Sequence, residues 1–121
     1  MANTFKTITF AAEPASAGTS YLMYTTAGST TTVVLGLILT NIHTTAVTAS
    51  VQLDSNTGNR NGNNNVTNGV SELIKNVSIP SGSSLEILTG SKVVLETTDA
   101  IKVDCSVADK ISGTLSIMEI T

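Results

Sequence analysis

The stretch Ile101-Lys102-Val103-Asp104-Cys105-Ser106-Val107 decides the fold class. Its apolar residues recur at every second position, with Lys102, Asp104 and Ser106 between them. Successive side chains of an extended strand point to opposite faces, so this pattern predicts a strand with one buried face and one wet face. Val47-Thr48-Ala49-Ser50-Val51-Gln52-Leu53-Asp54 repeats it. The run from Thr32 to Ile42 is apolar on both faces. It reads as a central strand, covered by the core on one side and by a partner chain or an N-terminal segment on the other.

Outward from these three segments, further strands are expected at Phe5–Phe10, Tyr21–Thr25, Val70–Ile79, Ser84–Leu88, Lys92–Glu96 and Gly113–Ile120. Turn residues punctuate them at Ala27-Gly28-Ser29, Pro80-Ser81-Gly82-Ser83, Thr89-Gly90-Ser91, Thr98-Asp99 and Ser112-Gly113. No segment has convincing helical periodicity, and Glu13 to Ala17 could form one turn at most. About eight or nine short strands with this spacing predict an all-β, antiparallel sandwich or barrel. The organisation expected is an N-terminal arm or edge strand over residues 1–20, then a sandwich domain over 21–121. The stretch from Asp54 to Gly69 holds seven Asn, a residue that favours turns over ladders, and reads as an exposed loop.

A chain of 121 residues fits one domain and can bury roughly two-thirds of its surface on folding. Hydrophobic residues make up 40%, yet there is no Trp and only two Phe and two Tyr, so the core must be aliphatic. Charged residues are only 12%. Ser, Thr and Asn take their place, giving a surface that costs little to desolvate against a neighbouring subunit. The net charge is −3 with no run of Lys or Arg, which disfavours nucleic acid and anionic membranes as partners. The N-terminus has no apolar signal core, and Val33–Leu39, the longest apolar run, is too short to span a bilayer. A soluble protein made in the cytoplasm is therefore expected. One cysteine cannot form an intrachain disulfide and suits a reducing compartment.

Chemistry-bearing residues are few. His43 is the single histidine and falls in an expected turn beside Asn41 and Thr44. Cys105 falls on the apolar face of its strand, where a thiol behaves as a small hydrophobe. Together they make neither a nucleophile–base pair nor a structural zinc site. Asp54-Ser55-Asn56-Thr57-Gly58-Asn59 resembles the opening of a calcium loop but lacks the further carboxylates. Glu72, Glu86, Glu96 and Glu119 fall on separate strands and read as solubilising charges. Asn65-Val66-Thr67 and Asn76-Val77-Ser78 match the glycosylation tripeptide but have no secretory signal with them. No phosphate-cradling glycine spacing occurs. The expectation is no catalytic, metal or cofactor site, no small-molecule substrate, and no enzyme activity.

From Glu72 onward a resemblance appears. Leu73-Ile74-Lys75-Asn76-Val77-Ser78-Ile79-Pro80-Ser81-Gly82-Ser83-Ser84-Leu85 leads into Gly90-Ser91-Lys92-Val93-Val94-Leu95-Glu96, then Asp99-Ala100-Ile101-Lys102-Val103, and closes on Leu115-Ser116-Ile117-Met118-Glu119-Ile120-Thr121. With Tyr24-Thr25 and Ser29 to Leu37 upstream, this is similar to a group of small virion structural proteins of tailed bacteriophages, marine and cyanobacterial phages among them. The resemblance omits the first twenty residues and the Asn-rich stretch. It implies an immunoglobulin-like sandwich that assembles in symmetric copies on a phage particle, at the capsid, neck or tail. The implied partners are copies of itself and other virion proteins. It carries over no functional residues. A carbohydrate- or host-surface-binding module is the alternative, and it would rely on the rings of Phe5, Phe10, Tyr21 and Tyr24.

Overall fold

The computed structural model describes residues 2–56, 69–88 and 92–121. Among them are nine strands and no helix: β1 (Asn3–Glu13), β2 (Tyr21–Thr25), β3 (Thr31–Asn41), β4 (Val47–Asp54), β5 (Val70–Ile79), β6 (Ser84–Ile87), β7 (Val93–Leu95), β8 (Ala100–Cys105) and β9 (Ile111–Ile120). All pairings are antiparallel. One sheet runs β1-β9-β3-β6, with β7 also on β3, and the other runs β2-β8-β4-β5. β6 lies along Leu37–Thr40 and β7 along Thr32–Val34, so the two fill one strand position between them.

The expected antiparallel sandwich is therefore the fold, and its connectivity adds detail. With β6 and β7 taken as one strand, first pairs with last, second with seventh, third with sixth and fourth with fifth. That order is a long hairpin rolled onto itself, the two-Greek-key jelly roll. An immunoglobulin-like order would set the first two strands side by side in one sheet, whereas here β1 and β2 lie in opposite sheets.

The core sits between the sheets and is aliphatic. Val34, Leu37 and Leu39 of β3 pack with Val51 of β4, Ile101 and Val103 of β8, and Leu115 and Ile117 of β9. Full burial of each such side chain stabilises the fold by roughly 1.5–3 kcal/mol. At one end Asn41, almost wholly buried, ties three segments together. Its side-chain amide donates to the carbonyls of Thr45 (3.0 Å) and Ile79 (2.8 Å), and its Oδ1 accepts from the His43 backbone N–H (2.7 Å). A buried amide is tolerated because its donors and its acceptor are engaged.

Two expectations are corrected. Ser112-Gly113 is not a turn but lies inside β9. The chain reverses instead over residues 106–110, where Asp109 adopts a positive φ of 57°, so Val107 falls beyond the end of β8. Glycine was misleading at 113 because it serves the core there and not a turn. A Cβ on it would collide with the ring of Phe10, its register partner on β1, and a glycine inside a strand often marks such a close approach.

Candidate functional site: the outer face of the five-stranded sheet

The two solvent-facing surfaces of the sandwich differ in chemistry. On the four-stranded sheet, Lys102 pairs with Asp54 (2.9 Å). Gln52 Nε2 donates to Glu72 Oε1 (2.9 Å), and Lys75 approaches the same carboxylate (3.6 Å). Asn76 and Ser50 exchange hydrogen bonds beside them. These ion pairs and amide groups make this face the more polar of the two, although Leu22 and Val70 also lie open on it.

The five-stranded sheet is built otherwise. Ile117 and Leu115 of β9 point inward, so period-two alternation turns Ser112, Thr114, Ser116, Met118 and Ile120 outward. Register then aligns the neighbours. Phe5 of β1 lies opposite Met118, Met118 opposite Val33 of β3, and Val33 opposite Val94 of β7. The result is an unbroken apolar row across the whole width of the sheet. Its ends are open to solvent, with Phe5 71% and Val94 54% exposed.

Beside this row the sheet is dented. The β3–β9 register shifts between Val34 and Gly36, because Leu35 is an extra residue on β3. This is a β-bulge, which bends the strand locally. Leu35, Gly36, Ile38, Thr114, Ser116 and Glu86 line a depression of about 310 Å³ there. Glu86 is the one charged side chain at the outward strand positions of this sheet among the described residues.

The sequence candidates are dispersed. His43 sits in the β3–β4 connection, where its carbonyl accepts from Ser81 Oγ (2.6 Å). Cys105 is a free thiol on β8, 2% exposed in the core. Asp54 is engaged with Lys102, and residues 57–59 of the calcium-like stretch, with most of the Asn-rich segment, lie outside the described residues. Glu72 and Glu86 stand on different sheets, Glu96 follows β7, and Glu119 belongs to β9. Among the described residues no group of three or more His, Cys, Asp or Glu could hold a metal ion. Of the four aromatic rings, Phe10 and Tyr24 are buried and Tyr21 packs edge-on against Phe10 (centroids 5.1 Å apart). Phe5 is the ring left largely open.

Glu119 turns inward instead of outward. Its carboxylate bridges Lys6 Nζ (2.7 Å) and the Tyr24 hydroxyl (2.6 Å), and that hydroxyl also contacts Thr32 Oγ1 (2.7 Å). The hydrogen bonds from Lys6 and Tyr24 hold the Glu119 carboxyl below its ordinary pKa. Burial, followed by the neighbouring carboxylate, holds the Tyr24 phenol above its own. Sequence reasoning missed this cluster and the apolar row alike, since both depend on the pairing of β9 with β1 and β3.

No family model and no curated protein matches the chain. Among solved structures, it is similar to a chain of the T13 infectious bursal disease virus particle, with a TM-score of 0.51 and 14% identity over 97% of this chain and 30% of that one. The Gx strain of infectious bursal disease virus gives a TM-score of 0.50 and 12% identity over 98% and 33%. A structure of Bacillus endospore appendages, a family of disulfide-linked pili, aligns at a TM-score of 0.47 and 14% identity over 99% and 87%. The chain spans about a third of the length of the viral chains it matches. What these viral likenesses show is the fold, a two-sheet antiparallel sandwich.

Proposed function

We propose that the chain is a structural subunit of a virion, an accessory protein of the tailed-phage type at the capsid, neck or tail, acting through contacts with its own copies and with other virion proteins. The observation that carries this reading is the contrast between the two sheet faces. One carries ion pairs and amides, while the other joins an unbroken apolar row to hydroxyl side chains and, among the described residues, a single carboxylate. Such a face loses little on desolvation and gains by burial. The fold shared with chains of a viral particle and the resemblance to phage structural proteins from Glu72 onward, with Tyr24-Thr25 and Ser29 to Leu37 upstream, support the same reading. On this reading the protein catalyses nothing, holds no cofactor, and resides on the particle after synthesis in the host cytoplasm. The sugar-binding alternative would have to rest on Phe5 and Tyr21, because the rings of Phe10 and Tyr24 are buried.

The test is immunogold labelling of purified particles of the phage that encodes the chain. Label at one recurrent position on intact virions is expected, and particles without label would overturn the proposal.

A further inference from the structure

We infer that the outer face of the five-stranded sheet seats a second copy of the chain about a two-fold axis in the plane of the sheet, with Phe5 of each copy in the Leu35–Gly36–Ile38 dent of the other. The inference rests on the structural-subunit reading and names the surface that reading would use.

The face carries both halves of a contact. Phe5 is a largely exposed ring on the edge strand β1. The dent lies between β9, β3 and β6, one to two outward positions along the strands from the Phe5–Met118–Val33 row. A cavity of roughly 150 Å³ already accepts a benzene ring, and this dent measures about 310 Å³. A two-fold axis in the sheet plane, midway between ring and dent, exchanges the two. Both rings are then seated in one event, as an isologous interface requires.

Charge and area favour the same occupant. Against a copy of itself, this face sets hydroxyl and apolar groups against hydroxyl and apolar groups. Glu86 borders the dent but stands on the edge strand β6, on the side of the dent nearest water. Four strand positions about 4.8 Å apart and ten residues of about 3.3 Å give a face of roughly 600 Å². Two such faces bury about 1,200 Å², which reaches the lower bound of stable specific interfaces.

Light scattering after size exclusion, over a concentration series, reads the mass. The wild-type chain is expected as a dimer. F5S and S116R are expected as monomers, and S78R, on the opposite sheet, as a dimer. Circular dichroism and thermal unfolding verify that each variant folds; should F5S fail to fold, S116R alone decides. Cysteine pairing then tests the geometry. Mixed F5C and S116C chains form an intermolecular disulfide under mild oxidation, whereas either variant by itself does not. A wild-type monomer at the highest workable concentration overturns the inference, as does an oligomer indifferent to F5S and S116R. If that monomer still labels virions, another virion protein covers the face and the structural-subunit reading survives. A dimer of the expected kind that never labels particles sinks that reading and leaves the inference standing.

Discussion

The ring of Phe10 fills the space that a side chain at residue 113 would occupy. The two residues face each other across the β1–β9 ladder, and the ring is also held edge-on by Tyr21. A methyl group at Gly113 must displace the ring or the strand, and overpacking of this kind costs about 1–3 kcal/mol. Gly113→Ala should lower stability by that amount in denaturant unfolding. Phe10→Leu in the same chain should return part of the loss, because a smaller side chain frees the space. Equal losses with Phe10 and with Leu at position 10 would show that the ring is not the obstacle.

Cys105 packs in the core opposite Ala49 of β4. Replacing its thiol by a hydroxyl buries a group that demands a hydrogen bond, so Cys105→Ser should destabilise by on the order of 1–3 kcal/mol. Alkylation of the native thiol should be slow and should accelerate only as the protein unfolds. Rapid labelling by a bulky maleimide under native conditions would show the strand to be turned the other way.

Stability should fall in acid because of Glu119. Its folded-state pKa is depressed by the hydrogen bonds from Lys6 and Tyr24. The stabilisation is therefore present above the unfolded carboxyl value of about 4.3 and is lost as pH drops through the lower folded value. Lys6 is half-exposed, so water screens the pair and the effect should stay within about 1 kcal/mol. Tyr24 behaves oppositely. Its raised pKa leaves stability intact below about pH 10 and removes it as pH climbs through the folded value. Unfolding midpoints across pH 2–7 check the first point, since Glu119→Gln should flatten the acid limb relative to wild type.

The strands were legible because their signal is local. Alternation over 101–105 and 47–54 reports one buried face whatever lies opposite, and the two-faced apolarity of Val33–Leu39 announced a central strand, which β3 is, with β9 on one side and β6 and β7 on the other. What spans the chain was not legible. Pairing of β1 with β9 joins residue 3 to residue 120, and no local pattern encodes it. The row Phe5–Met118–Val33–Val94 requires three registers at once, so its members read separately as unremarkable strand residues. Glycine 113 was misread for the same reason, because its constraint comes from a ring about a hundred positions away. The inward turn of Glu119 breaks the usual polar-out rule, and only the arrival of Lys6 and Tyr24 makes it tolerable.

Asp99 supplies the last prediction, since it binds the start of the Asn-rich segment to the turn before β8. Asp99 is 3% exposed, and its carboxylate accepts from the backbone N–H of Asn56 (2.9 Å), the backbone N–H of Glu96 (3.0 Å) and Ser55 Oγ (3.3 Å). The intervening Thr98 holds a positive φ of 72°, a region that a β-branched residue enters only at a cost of about 1–3 kcal/mol. Its carbonyl accepts from the Asn56 side chain (2.9 Å) and its N–H donates to the Thr26 carbonyl (3.0 Å). The carboxylate thus helps maintain a strained turn, and the two residues should respond in opposite directions. Asp99→Ala strands two amide donors and should destabilise by about 1–3 kcal/mol. It should also speed hydrogen exchange at Asn56 and Glu96 ahead of the rest of the sheet. Thr98→Gly relieves the backbone at a position that keeps its hydrogen bonds and should stabilise by up to about 1 kcal/mol, because glycine's greater freedom in the unfolded chain offsets part of the relief. A destabilised Thr98→Gly chain would mean that the threonine side chain contributes more than its backbone strain costs.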